Sequence, residues 1–439
     1  MKRLVFLIFF LLILIAFLIK FLSPQSIKNK IYSFLVPEKY KVLTDNISRK
    51  DKIIENYKKV LEKTSQGYLI ENKIINSNSL GSFNVKDFII EDKFFENYKN
   101  ISSRWNYIEK YNDNILFTYH NGSMFFFNIN DIYGEKLKIN IIETNLSNFI
   151  DQSNENFLLG VRDTYIDKNQ NLYVSLLKNL DSGCNNILVV KSKINLKKMD
   201  FKVFFEQPDD CSIRSHKDES DWRAGGALGS FSENKISLTI GDFSTLTDAQ
   251  DNKNNLGKVL EINSEGKFEK MLAIGLRNPT SLYNYNNKNL FISEIGPKSG
   301  DEINIIHIDD SVPVNFGWPF ATYGKHDYEP NFNYSKEHDS KGYKEPLFYG
   351  TDENSITPSK LIVSNNFFIN SPHLITGTLK ERNLTIFKIE NNFDNKKINL
   401  SLIDKILFEE RVRDMINSEN LLILSLEDPV ILRVMTRIN

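Results

Sequence analysis

Short apolar runs separated by polar turns dominate the chain beyond about residue 100. The runs have the length of β-strands, helical periodicity is scarce, and Asn, Asp and Gly fill the intervening turns. A turn residue followed by an apolar strand recurs six times, at Asn114 (NILF), Asn171 (NLYV), Lys235 (KISL), Asn289 (NLFI), His373 (HLIT) and Asn420 (NLLI). The pattern predicts six similar β units of roughly 55 residues each.

Units of this length that hold several strands each are typical of a β-propeller, whose closed ring leaves few sheet edges exposed. An array of β-sandwiches is the alternative, but it gives no reason for the regular return of one strand motif. We therefore expect an all-β fold, a six-bladed β-propeller over residues 98–439.

The first residues have a different pattern. Lys2 and Arg3 precede an unbroken apolar run over residues 4–19, and Lys20 follows it. A helix of this length spans about 24 Å, and Lys20 can snorkel, so the run can just cross a hydrocarbon layer. We expect a transmembrane signal-anchor over residues 1–22, with its positive end in the cytoplasm. A cleaved signal peptide is the alternative, although no small-x-small site precedes Ser23.

This anchor would make the chain a single-pass protein of the inner (cytoplasmic) membrane, with its bulk in the periplasm or outside the cell. Residues 23–97 are expected to form a stalk or linker that is partly helical. Within it, residues 48–64 place apolar side chains on one face of a helix. That amphipathic helix would either pack on the main domain as a spacer or associate with a second copy to form a homodimer.

Composition and the absence of several known motifs exclude some classes of function. The chain has 55 basic and 56 acidic residues, and this balance argues against electrostatic binding of nucleic acid. No P-loop, dinucleotide fingerprint, nucleophile elbow or zinc-binding spacing occurs in the sequence. The two cysteines, Cys184 and Cys211, would lie in a compartment where a disulfide persists, but the sequence leaves open whether they are bridged.

The densest motifs lie between residues 240 and 324. They are IGD (240–242), AQDNKNNLGKVLEI (249–262), GLRNP (275–279), SEIGPKSGDEIN (293–304) and NFGWP (315–319), with weaker matches at FLLGV (157–161), GTLK (377–380) and RVRDM (411–415). In this order they closely resemble the glucose/sorbosone dehydrogenase family of quinoproteins. Its members are soluble aldose dehydrogenases that use pyrroloquinoline quinone (PQQ) and calcium, and its fold is a six-bladed propeller.

The resemblance implies a PQQ site. Since PQQ carries three carboxylates, its pocket needs several fixed cations. The positions that match the family's cofactor-binding residues are Arg277, Asn278, Lys380, Arg411 and Arg413.

The resemblance also implies calcium. Gly296 and Pro297 match the family's calcium loop, in which backbone carbonyls hold the metal. Asp301 and Glu302 resemble a second, structural calcium site. Because neighbouring strand residues face opposite ways, we expect at most one of these two carboxylates to be a direct ligand unless the strand is bulged.

The residues at the positions that contact the substrate in the family depart from its pattern. The family removes the sugar's anomeric hydroxyl proton with a histidine, and Arg223 stands at that position. Arginine stays protonated and offers no acceptor, so it cannot be the general base. His216, on the same approach loop, is the candidate substitute base. Trp222 stands where many members carry an acidic sugar contact, and Tyr323 is a candidate for stacking on a sugar ring.

We therefore expect a membrane-tethered, periplasmic quinoprotein-type dehydrogenase that oxidises an aldose sugar or similar alcohol with PQQ and calcium. Its electron acceptor is unknown. Two alternatives follow from Arg223: a catalytically inactive propeller that binds a sugar or anionic ligand, or an interaction scaffold. A calcium-dependent hydrolase is supported by fold analogy alone.

Overall fold

The computed structural model describes residues 67–77, 79–90, 105–150, 159–179, 185–208, 223–326, 331–352, 354–392, 397–418, 420–427 and 430–438. Within these ranges the chain forms 28 β-strands, arranged in six sheets. The predicted membrane anchor, the amphipathic helix over residues 48–64 and both cysteines lie outside the described residues. No helix among the described residues is long and apolar enough to cross a membrane.

The first sixteen strands in chain order lie between residues 67 and 274. They are β1 (Gly67–Ser77), β2 (Gly81–Ile89), β3 (Asn106–Tyr111), β4 (Asn114–Tyr119), β5 (Met124–Asn128), β6 (Lys136–Leu137), β7 (Asn140–Thr144), β8 (Gly160–Ile166), β9 (Asn171–Asn179), β10 (Asn185–Lys193), β11 (Lys198–Met199), β12 (Lys202–Glu206), β13 (Gly225–Gly229), β14 (Ile236–Ile240), β15 (Lys258–Ile262) and β16 (Phe268–Ile274).

The remaining twelve strands lie between residues 279 and 437. They are β17 (Pro279–Tyr285), β18 (Asn289–Glu294), β19 (Glu302–His307), β20 (Val314–Asn315), β21 (Phe348–Tyr349), β22 (Pro358–Ser364), β23 (His373–Thr378), β24 (Asn383–Asn392), β25 (Lys397–Leu407), β26 (Arg411–Ser418), β27 (Leu421–Glu427) and β28 (Ile431–Arg437).

Each sheet is one propeller blade. Blade 1 has the strand order β3-β4-β5-β7-β11, blade 2 is β8-β9-β10-β12, and blade 3 is β13-β14-β15-β16-β20. Blade 4 is β17-β18-β19-β21, blade 5 is β22-β23-β24-β25, and blade 6 is β26-β27-β28-β2-β1-β6. The first strands β3, β8, β13, β17, β22 and β26 contact one another in that order, and β26 contacts β3 again. This closed ring confirms the predicted six-bladed propeller.

The recurring sequence motif is the second strand of every blade: β4, β9, β14, β18, β23 and β27. In blades 1, 3 and 4 the turn before this strand places an asparagine at positive φ, at Asn112, Asn234 and Asn286. Asparagine tolerates that left-handed conformation better than most residues do. The turn chemistry and the buried apolar strand together therefore account for the repeat that the sequence shows.

Blade 6 combines strands from both ends of the described chain. β2 pairs antiparallel with β28, from Phe83 opposite Arg437 to Ile89 opposite Ile431, and β1 pairs with β2. The propeller therefore includes residues 67–89, which the sequence analysis assigned to a stalk ending at residue 97. The reason is non-local pairing: β2 buries Phe83 and Val85 against the last blade, far along the chain.

Apolar side chains fill the seams between adjacent blades. Phe88, Phe117 and Leu432 belong to one buried cluster that joins blades 6 and 1. Phe291 and Phe387 belong to another, which joins blades 4 and 5. Because each sheet buries both of its faces this way, the ring is held together largely by burial of apolar surface.

A buried ion pair also fastens the closing strands. Arg433 on β28 donates from Nε to Oδ1 of Asp87 and from Nη2 to Oδ2, each at 2.7 Å, and Asp87 lies on β2. Both side chains are only 3% exposed. Arg433 Nη2 also lies 3.3 Å from Glu410 Oε2. Removing Asp87 would therefore leave the buried Arg433 with Glu410 alone and without its bidentate partner.

We predict that Asp87→Ala lowers the free energy of unfolding by about 3–5 kcal/mol, because Arg433 loses its bidentate partner in a buried setting. Urea denaturation followed by circular dichroism measures this. Asp113→Ala, at an exposed position, is the matched control and should change the stability by less than about 0.5 kcal/mol. Equal stability of Asp87→Ala and the control would contradict a fastening role for the pair.

Candidate functional site

The central channel opens into a pocket of about 690 Å³, a volume that includes solvent at its mouth. All six blades contribute to its lining. Four basic side chains line it, namely Arg162, Lys360, Arg411 and Arg413, together with the acidic Asp163 and Asp414. Aromatic and neutral polar groups complete the wall, including Trp105, Tyr107, Asn278, Thr280 and Ser359. The site is therefore a polar pocket in which basic groups outnumber acidic ones.

Bulges in the inner strands aim many of these side chains. The pairing of first and second strands shifts register in blades 2 to 6, for example between Val161 and Asp163 and between Val412 and Asp414. Arg162 and Arg413 are the residues at those two shifts. A β-bulge bends its strand and re-aims a side chain, so one repeated irregularity supplies most of the pocket's functional groups.

Lys360 reaches across the channel. Its Nζ lies 2.9 Å from Asp163 Oδ1 and 3.5 Å from Asp414 Oδ1. Lys360 belongs to blade 5 and Asp163 to blade 2, and these blades are opposite in the ring. Burial acts to lower the pKa of Lys360, but Asp163, Asp414 and Glu109 together raise that pKa above its ordinary value. Lys360 therefore stays protonated and links opposite walls.

The two aspartates also hold the neighbouring blades. Asp163 Oδ2 accepts a hydrogen bond from Leu228 N on β13 at 2.8 Å, and Asp414 Oδ2 accepts one from Ile108 N on β3 at 2.8 Å. Burial raises the pKa of Asp414 to about 6, although Lys360 acts to lower it. These carboxylates are thus part of the ring's framework as well as of the pocket wall.

Two guanidinium groups lie beside Trp105. The Cζ atoms of Arg413 and Arg162 lie 4.5 Å and 4.9 Å from the centre of the Trp105 ring. Arg413 is also ion-paired with the buried carboxylate of Glu427. Both contacts are within the range of favourable cation–π interactions, so the two arginines hold defined positions at the pocket wall.

The predicted cofactor-binding residues come together only in part. Arg411, Arg413 and Asn278 line the pocket, and Asn278 Oδ1 accepts from Gly225 N at 3.2 Å. Arg277 lies next to Asn278 but outside the lining, where its Nη1 donates to Ile295 O at 3.0 Å and to Gly296 O at 2.7 Å. Burial lowers the pKa of Arg277 to about 10. Arg277 is therefore held by the predicted calcium loop.

Lys380, another predicted cofactor-binding residue, is not among the residues that line the pocket. Its side chain is exposed, and the lysine that lines the pocket is Lys360, which the sequence analysis did not identify. Arg162 and Asp163 were also missed. A signal for them exists, because the tripeptide Val-Arg-Asp occurs at residues 161–163 in blade 2 and again at 412–414 in blade 6.

The loop at Gly296 and Pro297 has the geometry of a tight turn. A Cβ on Gly296 would lie 1.7 Å from Gly300 O, so only glycine fits there. Gly296 O accepts from Arg277, and Pro297 O accepts from Gly300 N at 2.8 Å. Both carbonyls thus already have donors within the protein.

Asp301 and Glu302 face apart, in line with the alternation expected of strand neighbours. Asp301 Oδ2 accepts from Ser355 Oγ at 2.8 Å and Thr357 N at 2.9 Å. Glu302 Oε2 instead accepts from Asn304 Nδ2 at 3.3 Å. No cluster of three or more His, Cys, Asp or Glu side chains suited to a metal occurs in the described residues. Asp301 and Glu302 are therefore not brought together as ligands of one metal ion.

Arg223, at the family's histidine position, forms a buried ion pair. Its Nη1 lies 3.8 Å from Asp242 Oδ2, and Asp242 also accepts from Trp318 Nε1 at 2.8 Å. Burial raises the pKa of Asp242, while Arg223 and Arg277 act to lower it. Arg223 consequently has a structural partner and no acceptor atom with which to remove a proton.

Of the predicted substrate contacts, Tyr323 is described by the structure and lies away from the pocket. Tyr323 stacks on Tyr349, with ring centres 3.6 Å apart, and its hydroxyl donates to Glu345 Oε2 at 2.7 Å. Tyr323 does not line the pocket, so its role in the structure is packing within the loop after β20. His216 and Trp222 lie outside the described residues.

Comparison with known proteins identifies a matching family and several relatives. A family model described as Glucose / Sorbosone dehydrogenase matches residues 102–430. The curated aldose sugar dehydrogenase YliI of Escherichia coli (strain K12) is 24% identical over 210 residues. That match covers 45% of this chain and 54% of the relative, so the chain spans about half the length of the curated relative it matches.

Solved structures share the fold. The soluble aldose sugar dehydrogenase of Escherichia coli, in its apo-form, superposes with a TM-score of 0.61 at 20% identity, over 81% of this chain and 100% of that one. The PQQ-bound aldose sugar dehydrogenase of Streptomyces coelicolor gives a TM-score of 0.53 at 15% identity, over 80% of this chain and 98% of that one. At these identities the likeness establishes the propeller fold.

We predict that Lys360→Met destabilises the propeller by about 3–5 kcal/mol, since it leaves Asp163 and Asp414 buried without their shared cation. Urea denaturation measures the change. Lys380→Met, which removes an exposed lysine from the same blade, is the control and should be nearly neutral. If the two variants were equally stable, the link across the channel would contribute nothing to the free energy of unfolding.

The raised pKa of Asp414 predicts a pH dependence of stability. Because its pKa is about 6 in the folded protein, above the ordinary value of an aspartate, the folded protein holds this proton more tightly than the unfolded chain does. The resulting stabilisation is present below the unfolded pKa and is lost as the pH rises through the folded one. The Asp414→Asn variant lacks the titrating carboxyl group but keeps a side-chain oxygen that can accept the hydrogen bond from Ile108 N.

Between about pH 4 and pH 7, the stability of the wild type should therefore fall relative to that of Asp414→Asn. Parallel urea denaturation series of the two proteins across this range give the comparison. A constant difference in their free energies of unfolding would show that Asp414 does not titrate with a raised pKa.

Proposed function

The chain belongs to the glucose/sorbosone dehydrogenase family, and we propose that it is an aldose dehydrogenase-type oxidoreductase that binds PQQ in the basic pocket of its central channel. The observation that carries the proposal is the convergence of Arg411, Arg413 and Asn278 on one pocket of a propeller of this family. Two further basic side chains, Arg162 and Lys360, line the same pocket.

The donor set suits a flat polycarboxylate. Arg413 is fixed by Glu427 and Trp105, so little side-chain freedom is lost when it binds an anion. Arg411 is exposed at the start of β26, and it has no ion pair among the described residues. Asn278 adds an amide group to the wall. Guanidinium groups pair with carboxylates in bidentate geometry, which gives orientation as well as affinity.

When bound, PQQ would supply a two-electron acceptor for hydride from an alcohol carbon. The chain's own part is to bind and orient this group with Arg411, Arg413 and Asn278, and to shield it between the inner strands. We propose that calcium would be held by the backbone carbonyls of Gly296 and Pro297, each of which accepts one hydrogen bond and keeps a second lone pair. No step of the proposal depends on the metal.

The proton acceptor must be a residue other than Arg223, which is tied to Asp242. Asp163 and Asp414 are in turn tied to Lys360. We propose His216 for this role, with Trp222 near the substrate. An aldose sugar or a similar alcohol is the proposed substrate class, and the electron acceptor is a separate partner.

We further propose that residues 1–22 tether the protein to the inner membrane and that the propeller works in the periplasm. The stalk would then join the anchor to β1 over residues 23–66, with self-association through residues 48–64 as a proposed route to a homodimer.

A second function is favoured by one specific observation. The buried pair of Arg223 and Asp242 replaces a base with a fixed cation, which suits a protein that binds a sugar or an anionic ligand without oxidising it. The third candidate function is an interaction scaffold that binds no small molecule.

We predict that the full-length chain in detergent binds PQQ, and that Arg411→Gln weakens this binding about tenfold, because one charge-assisted contact is lost. Isothermal titration calorimetry measures the affinity. Lys380→Gln removes an exposed cation outside the pocket and should leave the affinity unchanged.

Dye reduction with a panel of aldoses then separates the functions. Turnover that is abolished by His216→Asn supports the dehydrogenase and its proposed base. PQQ binding without turnover supports the binding protein, and the absence of PQQ binding by the wild type contradicts the dehydrogenase.

A further inference from the structure

We propose that Arg162 binds the ligand directly and, together with Arg413, holds one of its carboxylates beside Trp105. This inference deepens the proposed function and rests on it, since it assigns a residue to a pocket proposed to bind PQQ. Neither the family motifs nor the comparisons assign a role to Arg162. Its consequence is that the ligand must be anionic on the side of the pocket formed by blades 6, 1 and 2.

The backbone aims Arg162 at the channel. It lies at the register shift between Val161 and Asp163, where β8 departs from regular pairing with β9, and its side chain lines the pocket. The neighbouring blade leaves room for it: Gly226 has φ +102°, and a Cβ there would lie 2.6 Å from Arg162 Cβ. A side chain at residue 226 would therefore displace Arg162.

Arg162 and Arg413 occupy equivalent positions in blades 2 and 6. Each is the middle residue of a Val-Arg-Asp tripeptide, each lies at a bulge, and both guanidinium groups are within 5 Å of the Trp105 ring centre. Blade 1, which is preceded by Trp105, lies between them in the ring. The two arginines thus approach one aromatic ring from neighbouring blades on either side.

The charges around them explain why an anion would bind here. The aspartate that follows each arginine is directed to Lys360 and to a backbone N–H of the next blade. Arg413 keeps Glu427 as its counter-ion, and Arg162 adds a second guanidinium group beside the same ring. A carboxylate within reach of both would gain a charge-assisted contact from each. Guanidinium forks suit the two oxygens of a carboxylate.

The experiment compares PQQ with its trimethyl ester, which keeps the ring system and lacks the negative charges. Calorimetry is performed on the full-length wild type, Arg162→Met, Arg162→Lys and the control Arg437→Met, an exposed arginine at the end of β28. We expect Arg162→Met to weaken PQQ binding at least tenfold and to leave ester binding within about twofold. Arg162→Lys should lose less affinity than Arg162→Met, and the control should match the wild type.

The outcomes are distinct. Failure of the wild type to bind PQQ overturns the proposed function and this inference with it. Normal PQQ binding by Arg162→Met overturns the inference alone and leaves the proposed function standing. Equal weakening of PQQ and ester shows that Arg162 only supports Trp105, which also overturns it. If Arg162→Met fails to fold, Arg162→Lys decides. Weaker binding of PQQ by Arg162→Lys, with the wild-type affinity for the ester, supports the inference. Unchanged binding of PQQ by Arg162→Lys contradicts the inference.

Discussion

The ammonium group of Lys360 joins opposite walls of the propeller. It lies between Asp163 of blade 2 and Asp414 of blade 6, although it belongs to blade 5. The same aspartates accept hydrogen bonds from the backbones of blades 3 and 1. Burying three charges is costly unless each is paired, and here every carboxylate has both a cation and an N–H donor. Five blades therefore depend on one small cluster of charges, and the pocket is built around it.

Bulges turn a repeated blade into a specific site. The inner strands share a fold position but differ in the residue at the register shift, which is arginine in blades 2 and 6 and threonine in blade 4. The ring holds these side chains around a common axis at fixed spacing. Function in such a protein depends on a few substitutions on a regular scaffold, so family membership alone does not assign the role of each residue.

The sequence predicts the ring well because its signals are local. A short apolar run marks the second strand of each blade, and in blades 1, 3 and 4 a left-handed asparagine marks the turn before it. The closing strands β1 and β2 were missed, since β2 pairs with β28, from a distant part of the chain, and β1 pairs with β2. Lys360 was missed for the same reason: it is 197 residues from Asp163, and no spacing along the chain reveals that contact. Motif matching found Arg411, Arg413 and Asn278, but it also selected Lys380 and Tyr323, whose environments depend on the fold.

A crystal structure of the full-length protein with PQQ tests the central claim most directly, because it shows the ligand and the charge cluster together. The account predicts PQQ in the channel with its carboxylates on the guanidinium groups at the pocket wall, while Lys360 remains between Asp163 and Asp414. PQQ bound elsewhere, or a Lys360 that leaves the aspartates to bind it, would contradict the account.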